Sequence, residues 1–395
     1  MQIRLAARAT ALKPSATIAA AQKARELRAR GIHVYDFSLG EPDFPTPQHI
    51  CEAAAEAMRG GKTHYTPSSG IPELRAAVAE RYRSRGVRYE PNEIVISNGA
   101  KHALHNVLTV LCESGDQVLI PAPYWVSYRA LVELTGAEAV IIATDEATGF
   151  KLTPVQLRSA LNDRVKVLML NSPCNPTGAV YTPEELLSLA EVLRDTDVVI
   201  LSDEIYEDLV YGAEYAPPLA SLSSALRERT VTVSGVSKSF AMTGWRIGWS
   251  AAPRPIAAAI EKLQSQQTSN PCSISQYAAL AALQGDPACV HQMKNQFARR
   301  RELVAARLAE IPGLRALEPA GAFYYFINIH DVLGRSLDGA EVRDSVSFCT
   351  VCLETAHVAL VPGAAFGAEG YVRMSFAASE ENLTAGLDAL RRLLA

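Results

Sequence analysis

The chain reads as an α/β protein centred on a mainly parallel, doubly wound sheet, and three observations lead there. From Glu93 onward, short runs rich in β-branched residues (IVISN, VLIPA, AVIIA, VKVLMLN, VVILSD and TVTVSG) alternate with helical stretches. Continuous apolar runs of this kind belong to strands covered by helices on both faces. Sharp helix starts fall between them: Thr182 caps, Pro183 occupies the first turn and Glu185 completes a capping box. Beyond a long basic helical stretch over residues 289–310, the strands become isolated, near 323–329, 358–361 and 371–376. This pattern predicts a large domain over residues 46–300 and a smaller α+β domain shared by residues 1–45 and 301–395.

The elements follow in order. Lys13-Pro-Ser-Ala-Thr17 precedes an Ala-rich helical pattern over 18–30, and Gly31 is a natural helix end. Residues 34–39 read as a strand, 40–44 (GEPDF) as a turn and 47–60 as a helix. His64-Tyr65-Thr66-Pro67 opens a loop, and Ile71-Pro72-Glu73-Leu74 begins a helix reaching about Arg85. In a doubly wound sheet, ligands bind beyond the carboxyl ends of the strands. There lie Asn98 to Lys101, Pro123 to Trp125, Asn171 to Gly178, Ser202 to Tyr206 and Ser234 to Lys238.

Composition narrows the function. Hydrophobic residues make up 48% and charged residues 20% of 395, an ordinary globular balance with material for a large core. A net charge of −4 with interspersed signs argues against nucleic acid or an anionic membrane as partner. Apolar runs stay short of a bilayer span. Seven cysteines without secreted-scaffold spacing fit a reducing compartment, and Cys349-x-x-Cys352 reads as helix packing rather than a metal or redox pair. Residues 1–25 carry five basic and no acidic residues, a bias also seen in transit peptides. The cytoplasm is the expected location.

The chemistry concentrates in residues 234–249, SGVSKSFAMTGWRIGW. Lys238 sits among small and apolar neighbours, where desolvation lowers an amine's pKa and makes it a nucleophile toward a carbonyl. Arg246 follows eight residues later, and a guanidinium grips a phosphate with two parallel bonds. The pair points to a Schiff base with a phosphorylated aldehyde, pyridoxal phosphate. Gly99-Ala100-Lys101 opens a helix after IVISN, so its amides form a phosphate cup. Asp203 ends the apolar run VVILSD, and a carboxylate buried there needs a partner. Arg373, flanked by Val372, Met374 and Phe376, is poorly placed for solvent.

S-x-x-S-K-x-F-x-M-x-G-x-R-x-G over 234–248 resembles the cofactor-lysine signature of the class I aminotransferases, which are fold-type I pyridoxal-phosphate enzymes. The likeness runs through most of the chain. KPSAT, GEPDF, HYTPSSGIPELR, SDEIYE and Lys101 are similar to the prokaryotic-type aspartate/prephenate branch. The resemblance implies the fold-type I architecture with a seven-stranded sheet, and pyridoxal 5'-phosphate on Lys238, whose freed amine serves as general base. It implies Asp203 on the cofactor's ring nitrogen, Tyr206 and Asn175 on the ring hydroxyl, and Trp125 stacked on the ring. Gly99, Ala100, Lys101, Ser237 and Arg246 would surround the phosphate. Tyr65 would reach the phosphate of a neighbouring subunit in a homodimer with shared sites. Arg373, with Gly40, Asn175 and Trp125 nearby, would take the substrate's α-carboxylate, and Lys101 its side-chain carboxylate. One departure stands out: Gly235 occupies a position where some branches carry a phosphate-binding serine. The expected reaction is ping-pong transamination of aspartate or glutamate with 2-oxoglutarate. An aromatic or prephenate aminotransferase is the alternative, and a lyase or decarboxylase on the same fold is more distant.

Overall fold

A computed structural model describes residues 3–6, 9–10, 12 and 16–395; Lys13, Pro14 and Ser15 of the KPSAT motif lie outside them. Seven strands form the large sheet, in the order Ile94–Ser97, Gly248–Ala251, Thr230–Gly235, Val199–Asp203, Val165–Asn171, Gln117–Ala122 and Glu138–Ala143. All neighbours run parallel except Gly248–Ala251, which is antiparallel to both of its own. This strand is absent from the runs read in the sequence, because Gly-Trp-Ser-Ala has no β-branched residue. The helices cover both faces. In Val165–Asn171, Val167 and Met169 pack into one layer with Leu104 and Val107, while Leu168 and Leu170 pack into the other with Leu186 and Leu189. That two-sided burial is why the parallel strands read as unbroken apolar runs.

A second, antiparallel sheet has the order Val361–Pro362, Tyr371–Ser375, Tyr324–Asn328, Arg315–Ala316. Its core, with Phe323, Phe376 and Leu387, is continuous with Tyr206 at the end of the large sheet. Helix Ala288–Leu308 occupies the predicted basic stretch, and helix Glu380–Leu394 packs beside it, acids in its first turn and arginines in its last, matching the helix dipole. The predicted helix over 18–30 is Ala16–Ala29, and Gly31 follows with φ 81°. Thr182 caps Pro183–Val192 with the expected capping box.

Two boundaries differ from the sequence reading. The strand expected over 34–39 is only Tyr35–Asp36, because the Asp36 carboxylate accepts from both the amide and the hydroxyl of Ser38 and turns the chain away. The strand expected over 358–361 divides at Leu360: Val358–Ala359 pairs with Tyr35–Asp36, and Val361–Pro362 joins the second sheet. Cys349 and Cys352 are free and lie on helix Ser345–Thr355, Cys352 in its buried face. No helix among the described residues is long and apolar enough to cross a membrane.

Gly235 and Gly248 face each other across the two antiparallel strands. A Cβ on Gly235 would stand 2.9 Å from the Cα of Gly248 and from the carbonyl oxygen of Ile247. One on Gly248 would stand 2.4 Å from the amide nitrogen of Ala100. The paired glycines let helix Ala100–Leu111 start against the sheet, and they explain why a serine has no room at Gly235. Gly235→Ser is expected to lower stability by about 1–3 kcal/mol, as overpacking does, with a lower midpoint in thermal unfolding as the measurement.

Candidate active site

Five strand ends of the large sheet and three distant segments, around Gly40, Tyr324 and Arg373, converge on a cavity of about 380 Å³. Of the residues singled out in the sequence, Gly40, Ala100, Lys101, Trp125, Asn175, Asp203, Tyr206, Ser237, Lys238, Arg246 and Arg373 line it. Gly99 sits just behind, with φ 84°, and a Cβ there would meet the Arg246 guanidinium at 2.5 Å. Only a glycine permits both that backbone and that approach. Tyr65 lies elsewhere: it is 90% exposed and outside the cavity.

Lys238 and Arg246 belong to the connection between the antiparallel strands Thr230–Gly235 and Gly248–Ala251. Val236, Phe240 and Met242 of this connection are buried, which holds the Lys238 side chain toward the cavity. The Lys238 amine donates to the Gly40 carbonyl. Desolvation, aided by Arg373 and Arg246, lowers its pKa to about 8 against the pull of Glu41 and Asp203. Arg246 takes a left-handed backbone, φ 55°, and its Nη1 donates to the Thr243 carbonyl at 2.7 Å.

Asp203 is 4% exposed at the end of its strand. Its Oδ2 accepts from the Tyr128 hydroxyl at 2.6 Å and its Oδ1 from the Ile205 amide at 3.2 Å. Burial outweighs these bonds and the nearby Lys238 charge, and pushes the carboxyl up to about 6. Asp203 has no ion-pair partner among the described residues. The Tyr206 hydroxyl shares a 2.7 Å hydrogen bond with Tyr324. Asn171 ties the strand ends together: its amide nitrogen donates to the Asp203 carbonyl and its Oδ1 accepts from the Asn175 amide.

Arg373, 2% exposed on strand Tyr371–Ser375, lies on the opposite wall. Nη2 donates to the Ser38 carbonyl at 2.6 Å and Nη1 to Asn175 Oδ1 at 3.1 Å, while Nε has no partner. Its guanidinium stacks over Tyr324 and Phe366 and meets no carboxylate among the described residues. A buried cation with a spare donor is an anion site. Lys101 enters from helix Ala100–Leu111 with its amine 4.9 Å from the centre of the Trp125 ring, and burial together with Arg246 lowers its pKa.

Sequence reading missed Tyr128 and Tyr324 as partners of Asp203 and Tyr206. A faint signal existed for Tyr128, three residues beyond Trp125 in PYWVSY; none existed for Tyr324, 118 residues from Tyr206. The assembled groups can deprotonate a carbon acid with an amine whose pKa burial brings down to about 8, stabilise a cation at Asp203 and hold anions at Arg373, Lys101 and Arg246.

The raised Asp203 carboxyl has a thermodynamic consequence in the ligand-free protein. Its contribution to stability is complete below the unfolded value of 3.8 and is lost as pH rises through about 6. Asp203→Asn removes that dependence. The variant is expected to exceed the parent in unfolding free energy by roughly 1–3 kcal/mol above pH 6 and to match it near pH 4, measured by denaturant titration across pH.

Comparison with known proteins agrees with this geometry. The family model for aminotransferase class I and II matches residues 32–390. An aspartate aminotransferase of Geobacillus stearothermophilus is 46% identical over 393 residues, 99% of each chain. An aspartate/prephenate aminotransferase of Cereibacter sphaeroides is 46% identical over 376 residues, 94% of each chain. Among solved structures, an aspartate aminotransferase of Rhizobium meliloti superposes with a TM-score of 0.96 at 40% identity, covering 100% of this chain and 99% of that one. A family match over most of the length, with a sheet and cavity of this form, makes the chain an aminotransferase of class I and II.

Proposed function

We propose that this aminotransferase exchanges the amino group of aspartate, or glutamate, with 2-oxoglutarate, using pyridoxal 5'-phosphate held at Lys238. The observation that carries the reading is the pairing of two separate anion sites, Arg373 and Lys101, on the cavity that holds Lys238. A dicarboxylic amino acid brings two carboxylates to the two sites. The residues fit the cofactor too. The Gly99 cradle and Arg246 form a phosphate site. Asp203 is a buried acid with no ion-pair partner among the described residues, suited to a protonated ring nitrogen, and Trp125 lines the same cavity with an aromatic ring. Ser237 adds a hydroxyl to the phosphate site in place of the serine excluded at Gly235, and Tyr206 and Asn175 face the cavity as hydrogen-bonding groups for the ring hydroxyl.

When bound, the cofactor supplies a ring that accepts the electron pair released as the substrate's Cα–H bond breaks. The chain's own residues do the rest. Arg373 holds the α-carboxylate, a role supported by a guanidinium that lines the cavity and meets no carboxylate among the described residues, with Asn175 and Gly40 adjoining it. Lys238, with a pKa of about 8, has an appreciable neutral fraction at pH 7–8 and takes the Cα proton on Nζ. Asp203 would stay ionised against a cation held at its carboxylate, since an opposite charge reverses the effect of burial.

The same proposal includes a homodimer with shared sites, in which Tyr65 reaches the neighbouring subunit's phosphate; its 90% exposure and its place outside the lining of its own cavity support this. It includes a small domain of residues 1–45 with 301–395 against a large domain of 46–300, supported by the pairing of Tyr35–Asp36 with Val358–Ala359. A cytoplasmic location rests on the cysteine pattern. An aromatic or prephenate substrate is the second reading, favoured by Leu39, an apolar side chain on the cavity wall, and by the relatives named aspartate/prephenate aminotransferase.

Lys101 separates the two readings. Lys101→Ala is expected to reduce kcat/KM for aspartate and glutamate by roughly 10- to 100-fold, equivalent to about 1.4–2.7 kcal/mol. For phenylalanine, which brings no second carboxylate, the loss is expected to be several times smaller. Steady-state kinetics on both substrate classes measures this, and equal losses would remove the case for a dicarboxylic substrate. Shared sites are tested by mixing two inactive variants, Tyr65→Phe and Lys238→Ala, after confirming that each is inactive. Exchange of subunits is expected to restore activity through one working site per hybrid dimer; no recovery after exchange proven by mass spectrometry would refute the shared arrangement.

A further inference from the structure

Two apolar clusters meet behind the cavity. Val236, Phe240 and Met242 of the Lys238 connection are buried with Val78, Tyr82 and Trp249. Ile205, Tyr206 and Leu209, from the turn that follows Asp203, are buried in the other cluster with Phe323 and Tyr324. The ladder between Val199–Asp203 and Thr230–Gly235 sets the register as far as Asp203 opposite Val233, with the Glu204 amide donating to the Val233 carbonyl. Past that point apolar contact, which is non-directional, holds the turn and the connection.

A group of buried charges, outside the cavity lining, spans the gap. Helix Pro72–Ser84 and its end supply Arg81 and Arg85; the turn after Tyr206 supplies Glu207 and Asp208. Arg85 pairs with Glu207 at 2.6 Å and with Asp208 at 2.5 Å. Arg81 pairs with Asp208 at 2.6 Å and with Glu207 at 3.3 Å. Glu207 Oε1 also accepts from the Ser234 hydroxyl at 2.9 Å, four residues before Lys238. On the other side of Lys238, the buried Ser239 hydroxyl lies beside Asp208. Two positive and two negative charges cancel, so the group's contribution is directional rather than a net field: both arginines donate to Asp208 and Arg81 donates to Glu207 Oε1, while Arg85 and Glu207 meet as an ion pair without a hydrogen bond.

We propose that Glu207 is a positioning residue for the transamination, registering the turn that bears Asp203 and Tyr206 against the connection that bears Lys238 through Arg85, Arg81 and Ser234. This rests on the assignment of Lys238 as the amine that holds the cofactor. The two segments must present Nζ and the Asp203 carboxylate to one bound molecule, and a displacement of about 1 Å can cost on the order of 100-fold in rate.

Glu207→Gln keeps the size of the side chain and removes its charge. It is expected to lower kcat by about 10- to 100-fold while KM for aspartate stays near that of the parent. The rate at which pyridoxal phosphate attaches to Lys238 in the cofactor-free protein, read by borohydride reduction and peptide mass, is expected to fall in parallel. The thermal midpoint also falls, because Arg85 is left undercompensated. The double variant Arg85→Met, Glu207→Gln removes one charge of each sign and leaves Arg81 with Asp208. It is expected to recover thermal midpoint but neither kcat nor the attachment rate. Recovery of all three together, or a Glu207→Gln protein altered in thermal midpoint alone, would make the cluster purely structural and overturn the proposal. Should Glu207→Gln fail to fold, Ser234→Ala reads the same contact: reduced kcat and attachment at the parental midpoint support positioning, and parental values overturn it. Attachment to a lysine other than Lys238 would instead overturn the proposed function on which this rests.

Discussion

Asp203, Lys238 and Arg373 are withdrawn from water around one cavity, and the architecture is arranged to tolerate it. Each loses hydration that a folded protein ordinarily replaces with a counter-charge. Here each shifts toward neutrality: burial raises the Asp203 carboxyl to about 6, lowers the Lys238 amine to about 8 and depresses the Arg373 guanidinium. Neutral hydrogen bonds, from Tyr128, to the Gly40 carbonyl and to the Ser38 carbonyl, satisfy part of their capacity without cancelling their charge. Groups held this way are poised for a charged ligand, since among the described residues no ion pair has to be broken before it binds. The free energy that keeps them there comes from the apolar layers on both faces of the sheet.

The sheet's one antiparallel strand has a consequence out of proportion to its length. Parallel strands are joined by long crossovers, but antiparallel neighbours can be joined directly. Thr230–Gly235 and Gly248–Ala251 are neighbours, so the residues between them, Lys238 and Arg246 included, stay above the strand ends. The glycines facing each other at 235 and 248 then admit the start of helix Ala100–Leu111, with Gly99 against Arg246. The amine and the anion site are thus set by one short connection and one helix start.

The other wall comes from the two ends of the chain. Asp36 stops its strand by taking the Ser38 amide and hydroxyl, which leaves the Ser38 carbonyl free to accept from Arg373, 335 residues away. Gly40, two residues on, meets Lys238. An early strand shorter than its apolar pattern suggests is therefore what brings the N-terminal segment to the cavity as a turn.

Much of this was readable in the amino acids because it is local. Apolar runs, the Thr182 capping box and the Gly31 helix end are each encoded within a few residues, where backbone geometry and neighbouring side chains decide the outcome. The lysine among small and apolar neighbours, the glycine before a helix and the carboxylate ending an apolar strand carried the chemistry for the same reason. Strand Gly248–Ala251 escaped notice because its β-structure comes from the strands on either side rather than from its own residues. The bonds Tyr128 to Asp203, Tyr206 to Tyr324 and Arg85 to Glu207 join residues 75 or more positions apart. No local periodicity specifies such contacts; they exist only once the topology has brought their strand ends and turns together, and burial then makes each pairing obligatory.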